Sequence, residues 1–483
     1  MSRKDPHPES ELHSNKVYQA LRYLESAEHK RLLKYLYSPY FNQSKTLTSL
    51  CEILLAHIEK GKPGFNREKV WKALFPKEPF DDVNFRKYCS DLLKLVGQFM
   101  AQELISQDRS RQSIDVLDFV VQRKLEPLFN GALRQARSDL ERISYRSLEY
   151  YYKAYSIERN FYTMMDFDVK LDVRSNVEDI SNNLDLFYWI EKIKLYIAVI
   201  SQKKTRTHQY DLKFINEVVS YLRNYPIEDV PALAIYYYAL MTLLEEDDVD
   251  HYYNLRRILN RYIELMPQHE SIEIIDSVLH YCTGKINQGN RAFLQEYFEV
   301  CEEAVQKGVF LFKGELAPWR FNNIIAAALR LGKLEWAESF AQDYMQFLPK
   351  DSRQNAYTFN LARVYLYQKK YDKVLDLLRD IEYEDIGYNL ISKAILTITY
   401  YELDELDALD SFTESFRVFL NRHKNIPQQL GRSYLNLVKY VRRITRLAPG
   451  DKASVEKLRE EIVREKASTV NHEWLLEKLD ALG

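Results

Sequence analysis

Apolar residues recur at intervals of three and four along most of this chain, the spacing that turns one face of an α-helix toward a core. The pattern begins near Lys16 with Val17, Leu21 and Leu24 and continues through Leu32, Leu33 and Leu36. Pro39 predicts the end of that helix, because the residue before a proline is pushed out of the helical region. A second helix is expected from about Thr48 to Glu59, broken by Gly61, Pro63 and Gly64. Asn66 is placed to cap a short helix running to Leu74, and Asp81 or Asp82 to start a longer one to about Gln107. Between them Phe75 to Phe80, with prolines at 76 and 79, reads as a stiff apolar turn. Residues 16–110 therefore form a compact N-terminal helical domain without repeats, and the polar residues 1–15 before it are expected to be a disordered tail.

Residues 111–230 carry few breakers and are expected to be long helices leading into a solenoid. Between Tyr145 and Tyr162 the aromatic residues wrap most of a helical surface, which predicts a helix buried between neighbours. A pair follows at about 183–202 and 211–223, closed by Pro226. From there a period appears. Helix-pair units begin near Pro231, Ser271, Ala317, Ser352, Tyr388 and Gln428, at spacings of about 35–46 residues, in the range of helical repeats. The last pair, about Gln428 to Leu447 and Ala453 to Lys466, followed by Val470 to Leu482, is placed to cap the stack.

Two units are clearest. In the first, Leu331, Gly332, Leu334, Trp336 and Ala337 lead to Phe340, Ala341, Tyr344 and Pro349. In the second, Leu361, Ala362 and Tyr365 lead through Tyr371 to Val374, Leu378 and Ile381, with no glycine at the turn. These residues resemble the tetratricopeptide repeat, whose small residues let paired helices approach and whose glycine permits a tight turn. The resemblance implies an all-α fold in which residues 231–483 form a solenoid of antiparallel helix pairs. It also implies that the first helix of each pair lines a concave groove. That puts Trp319, Asn322, Asn323 and Arg330 of one unit, and Phe359, Asn360, Arg363 and Tyr367 of the next, against a bound segment. Asn323 and Asn360 stand at equivalent places, where members of the family that clamp a peptide carboxylate have an Asn. The paired cations such a clamp also needs come down here to Arg363 and Arg330.

Composition narrows the chemistry. With 13 glycines in 483 residues the chain has little material for tight turns or phosphate-cradling loops. No Gly-rich nucleotide motif, no paired-His zinc motif and no nucleophile elbow occurs: His269 and Glu270 lack the second histidine. His280 and Cys282, two apart in a helix, face different ways. Cys51, Cys89, Cys282 and Cys301 are too scattered for a zinc or disulfide framework and read as reduced thiols. No cofactor and no metal is expected. The acidic turn Glu245 to Asp250 lacks the glycine and distal Glu of a calcium loop and reads as a solvated turn. The totals, 68 basic against 70 acidic residues, exclude a simple polyelectrolyte binder. Charge is uneven locally: residues 376–410 are acidic, and the helix from Gln428 carries Arg432, Lys439, Arg442, Arg443 and Arg446. Of these, Arg432, Lys439, Arg443 and Arg446 fall on one stripe placed to meet phosphates, an acidic protein or the acidic region of a second copy. The N-terminal residues carry no apolar signal region, and no apolar run is long enough for a membrane span, so a cytoplasmic location is expected.

The reading is a non-catalytic interaction scaffold that holds a protein or peptide segment, of unspecified oligomeric state. Its alternative is a nucleic-acid-associated regulator, with helices 66–74 and 82–107 acting as a helix-turn-helix and Lys69, Lys72, Lys77, Arg86 and Lys87 meeting phosphates. An enzyme built from scattered residues is the third.

Overall fold

A computed structural model describes residues 15–60, 66–165, 174–203, 210–379, 381, 385–423, 425–448 and 450–482. The expected tail and the Gly61 to Gly64 break lie outside the described residues, save Asn15. The chain is all-α and divides into two compact units, 1–191 and 192–483.

The first unit opens with α1 (Lys16–Tyr23), α2 (Ser26–Tyr37), α3 (Lys45–Lys60), α4 (Arg67–Leu74) and α5 (Asp82–Gln107). Asn66 and Asp81 cap α4 and α5 as their positions predict: each side chain accepts backbone N–H bonds, at 3.0 Å or less, from the first turn. One helix expected from Lys16 to Tyr37 is instead two. The break falls at Leu24, where the Glu25 backbone N–H donates to the Glu28 carboxylate at 2.7 Å and starts α2 afresh. Leu21, Leu32, Leu50, Val70, Leu92 and Val96 are wholly buried in the core these helices share. A second core joins α6 (Arg109–Gln122), α7 (Glu126–Glu141) and α8 (Leu148–Met165) through Leu117, Leu133, Ala136 and Ile157. The aromatic helix α8 is not buried all round. It packs on α6 and α7 through one face, while Tyr152 on the other stays 53% exposed.

Helix α9 (Val177–Lys203) carries residues of both units. The second unit continues with α10 (Ile215–Leu222), α11 (Pro231–Leu244), α12 (Asp250–Tyr262), α13 (Gln268–Asn287) and α14 (Ala292–Gln306). A small hairpin, β1 (Leu311–Phe312) and β2 (Glu315–Leu316), follows. Then come α15 (Pro318–Arg330) and α16 (Leu334–Tyr344), α17 (Arg353–Tyr367) and α18 (Tyr371–Leu378), α19 (Ile386–Glu402) and α20 (Leu406–Arg422), α21 (Gln428–Ile444) and α22 (Lys452–Arg464), and lastly α23 (His472–Asp480). Each helix from α15 to α20 packs on the next, α21 packs on α23, and α15, α17, α19 and α21 also pack on one another in succession. That is the contact pattern of stacked helix pairs. Ala328, Ala337, Ala341 and Ala362 on these helices are fully buried, and small residues there allow paired helices to approach closely.

Three consecutive pairs turn in the same way. Gly332, Lys369 and Asp404 each adopt a left-handed backbone, with φ of 73°, 58° and 59°. The residue after each bonds back across six residues: Lys333 N–H to Ala328, Lys370 to Tyr365 and Glu405 to Tyr400, at 2.9–3.0 Å. This is the Schellman closure of a helix C-terminus, which glycine adopts at least cost. The second and third pairs therefore make the glycine turn without a glycine.

Candidate functional site

The eight residues expected to face a bound segment divide into two groups. Trp319, Asn323, Arg330 and Tyr367 are exposed, and Asn322 and Arg363 are half-buried. Phe359 and Asn360 are 1% and 0% exposed and belong to the core, not to a groove wall. The reason is packing: α17 has α15 on one side and α19 on the other, so its central turn is enclosed. Asn323, on the corresponding turn of α15, is left in solvent.

Asn360 is buried for its hydrogen bonds. Its Nδ2 donates to the Ala356 carbonyl at 2.8 Å and to Asn322 Oδ1 on α15. Asn322 Nδ2 in turn donates to the Tyr388 hydroxyl on α19 at 2.6 Å. Two asparagines and a tyrosine thus lace three successive first helices together. Arg363 completes the network. Its guanidinium donates to Asn360 Oδ1 at 3.2 Å and to the Asn322 carbonyl at 3.5 Å, and lies 5.6 Å from the Phe359 ring. Among the described residues no carboxylate reaches it. Burial pushes its pKa below the usual arginine value, and only the hydroxyls of Tyr367 and Tyr388 oppose that shift.

The neighbouring buried cation is satisfied. Arg320, buried on α15, makes a two-pronged ion pair with Asp276 on α13 at 2.7 and 3.1 Å. Part of the basic surface of α21 is also spent within the chain, while Arg432 and Arg446 stay exposed. Lys439 and Arg443 pair with Glu461 on α22, and Arg442 with Asp410 and Glu414 on α20, at 2.5–3.2 Å. The acidic counterpart of Arg442 is therefore the chain's own α20.

One turn beyond Arg363, Tyr367 enters a cavity of about 550 Å³ that the linear spacing did not reveal. Its wall is completed by Tyr371, by Glu402 at the end of α19, and by Glu473, Trp474 and Glu477 of α23. Glu402 is held from behind: Trp474 Nε1 donates to it at 2.6 Å and the Lys478 ammonium stands 2.7 Å away. Trp474 follows Glu402 by 72 positions, so no local motif could have linked them.

Elsewhere the candidates are weaker. Glu245, Asp248 and His251 place their ligand atoms within 4.8 Å of one another. His251 Nε2 already faces Glu245 at 2.8 Å, and Arg223 takes the other Glu245 oxygen. His280 is exposed while Cys282 is buried. Burial pushes the Cys51, Cys282 and Cys301 thiols up to about 12, far from a reactive thiolate. At the suggested helix-turn-helix, Arg67 and Arg86 both pair with Asp82 at the start of α5, at 3.1 and 2.5 Å. Among the described residues, no helix is long and apolar enough to cross a membrane. No family model, no curated protein and no solved structure matches this chain.

Proposed function

We propose that this protein is a non-catalytic scaffold whose row of first helices, α15, α17 and α19, holds a segment of another protein in the manner of a tetratricopeptide-like solenoid. The observation that carries the reading is Arg363. A half-buried guanidinium framed by Asn360, Asn322 and Phe359 has lost much of its hydration and has no carboxylate partner in the described chain. Leaving a cation so is costly, and an anion on a partner removes the cost on binding. Trp319 and Tyr367, 54% and 48% exposed along the same row, offer the flat amphipathic surfaces that dominate binding energy at interfaces. The bound segment therefore presents an acidic group to Arg363 and apolar surface to its flanks.

The test is affinity capture from the host's own lysate with the intact chain, R363Q and Y367A, at low and high salt and with nuclease. The expected result is a discrete, nuclease-resistant protein partner that both variants lose while far-ultraviolet circular dichroism is unchanged. Equal capture by both variants removes this surface from consideration. Partners that vanish with nuclease would instead direct attention to α4 and α5.

A further inference from the structure

The cavity beside Tyr367 has a chemistry of its own. Three aromatic rings, Tyr367, Tyr371 and Trp474, share its wall with three carboxylates, Glu402, Glu473 and Glu477. Lys369 is the one lysine on that wall. Aromatic faces carry negative charge density, and carboxylates beside them add to the attraction for a cation. We infer that this cavity receives a lysine or arginine side chain of the bound segment.

The chain supplies a precedent in the same wall. Lys478 approaches from outside the cavity and places its ammonium 2.7 Å from Glu402 and 6.0 Å from the Trp474 ring. A carboxylate and an indole therefore already hold one cation there. Glu402 is occupied by that lysine and by the Trp474 N–H, and Lys478 also stands 3.4 Å from Glu477, so the incoming charge falls first to Glu473 with Glu477 beside it. These lie four apart on α23 and so share a face. Both are exposed, and Glu473 has no ion-pair partner among the described residues. The α23 N-terminus would favour an anion, but Glu473 already stands in its first turn and offsets the helix dipole. The volume suits a long side chain: about 300 Å³ or more is usual for a cavity that encloses a small ligand.

This inference deepens the scaffold reading and rests on it. Arg363 and Tyr367 are four residues apart on α17, about 6 Å along the helix. A segment that gives an acid to Arg363 thus reaches the cavity with a base a short step away.

The test uses five-residue capped peptides, Ac-Gly-Gly-Xaa-Gly-Gly-amide, with lysine, arginine, norleucine or glutamate at Xaa. Binding is read by the emission of Trp474, isolated by subtracting the same titration of W474F, and by calorimetry on the intact chain. Saturable binding of the lysine and arginine peptides is expected. It should weaken with salt and fall at least tenfold in E473Q/E477Q, whose two sites are exposed and leave the fold intact. Norleucine binding as tightly as lysine, tighter binding of the glutamate peptide, or no saturable binding by the unaltered chain overturns the inference. The two readings fail separately. Cation binding that persists while R363Q still captures the partner sinks the scaffold surface alone. Loss of capture in R363Q without any cation binding sinks the cavity alone.

Discussion

Two neighbouring repeats make the same choice and finish it differently. Each sets an arginine into its first helix beside aromatic rings. In α15, Arg320 lies 4.0 Å from the Phe310 ring and 4.4 Å from the Trp319 ring, and closes on Asp276 of α13 with two hydrogen bonds. In α17, Arg363 has the ring and the polar frame but only neutral oxygens to meet. The first is a joint: it fixes α15 against α13, and its charge is accounted for. The second is a joint with one piece missing. A buried ion pair is weak evidence for added stability, whereas an ion left without a partner keeps its desolvation cost uncompensated.

The sharpest way to break that comparison is to unmake the finished pair. D276A leaves Arg320, 6% exposed, without its anion, and should cost about 2–3 kcal/mol, less than a fully enclosed pair because Asp276 is itself partly in water. R363M should behave otherwise. It removes a charge that nothing among the described residues pairs, at the loss of two long hydrogen bonds, and should leave stability within about 1 kcal/mol of the parent. Urea denaturation of the three proteins side by side checks both. Equal losses in D276A and R363M would mean that Arg363 is structural after all.

A third arrangement shows how much an ion pair is worth nearer to water. Glu461 on α22 accepts from Lys439 and Arg443, and these bonds hold its carboxyl at about 2, below the ordinary 4.5. A depressed carboxyl stabilises the fold fully above its unfolded value, and that share is lost as pH falls from about 4.5 through about 2. Because the two cations are partly solvated, the share at neutral pH should be on the order of 1–2 kcal/mol. Measured against E461Q, the gap in unfolding free energy should be largest above pH 5 and close on acidification. A gap that does not change with pH would show that Glu461 acts by packing and not by charge.

How much of this was legible in the linear order follows from how far each interaction reaches. Asn66 and Asp81 announced their helices because a cap bonds two or three residues away. The starts of the later pairs were legible for a similar reason: Pro231, Pro318 and Gln428 open helices close to where the apolar spacing resumes. The tetratricopeptide pattern also identified Arg363 and Tyr367 as worth attention. It misplaced Phe359 and Asn360, because burial on α17 depends on both neighbouring helices and not on the helix itself. It could not show that Arg363 lacks an acid, since that depends on α15 and α19. Nor could it bring Trp474 to Glu402. The β hairpin went unread although Lys313 and Gly314, at φ 51° and 80°, make the kind of two-residue turn that closes one. The left-handed Lys369 carried no signal, as lysine does not favour that conformation, and Asp404 carried only a weak one, as aspartate tolerates it.

Those turns give the finest test of the two repeats, because their backbones agree while their residues differ. Gly332 closes the α15–α16 turn and Lys369 the α17–α18 turn, with the same hydrogen bonds and similar φ. A Cβ on Gly332 would meet nothing within 4 Å, so G332A isolates backbone strain from crowding. It should cost about 1 kcal/mol, the usual penalty for a side chain in the left-handed region. K369G relieves the same strain but frees the unfolded chain, so the gain should be smaller, up to about 0.5 kcal/mol. The Lys369 side chain is exposed and has no ion-pair partner among the described residues, so little else is removed. Opposite signs in the two denaturation curves would show that both repeats obey one turn geometry and that only the first has the residue suited to it. If K369G destabilised instead, the lysine would have to hold its turn through its side chain, on the edge of the cavity where a basic residue of the partner is expected to enter.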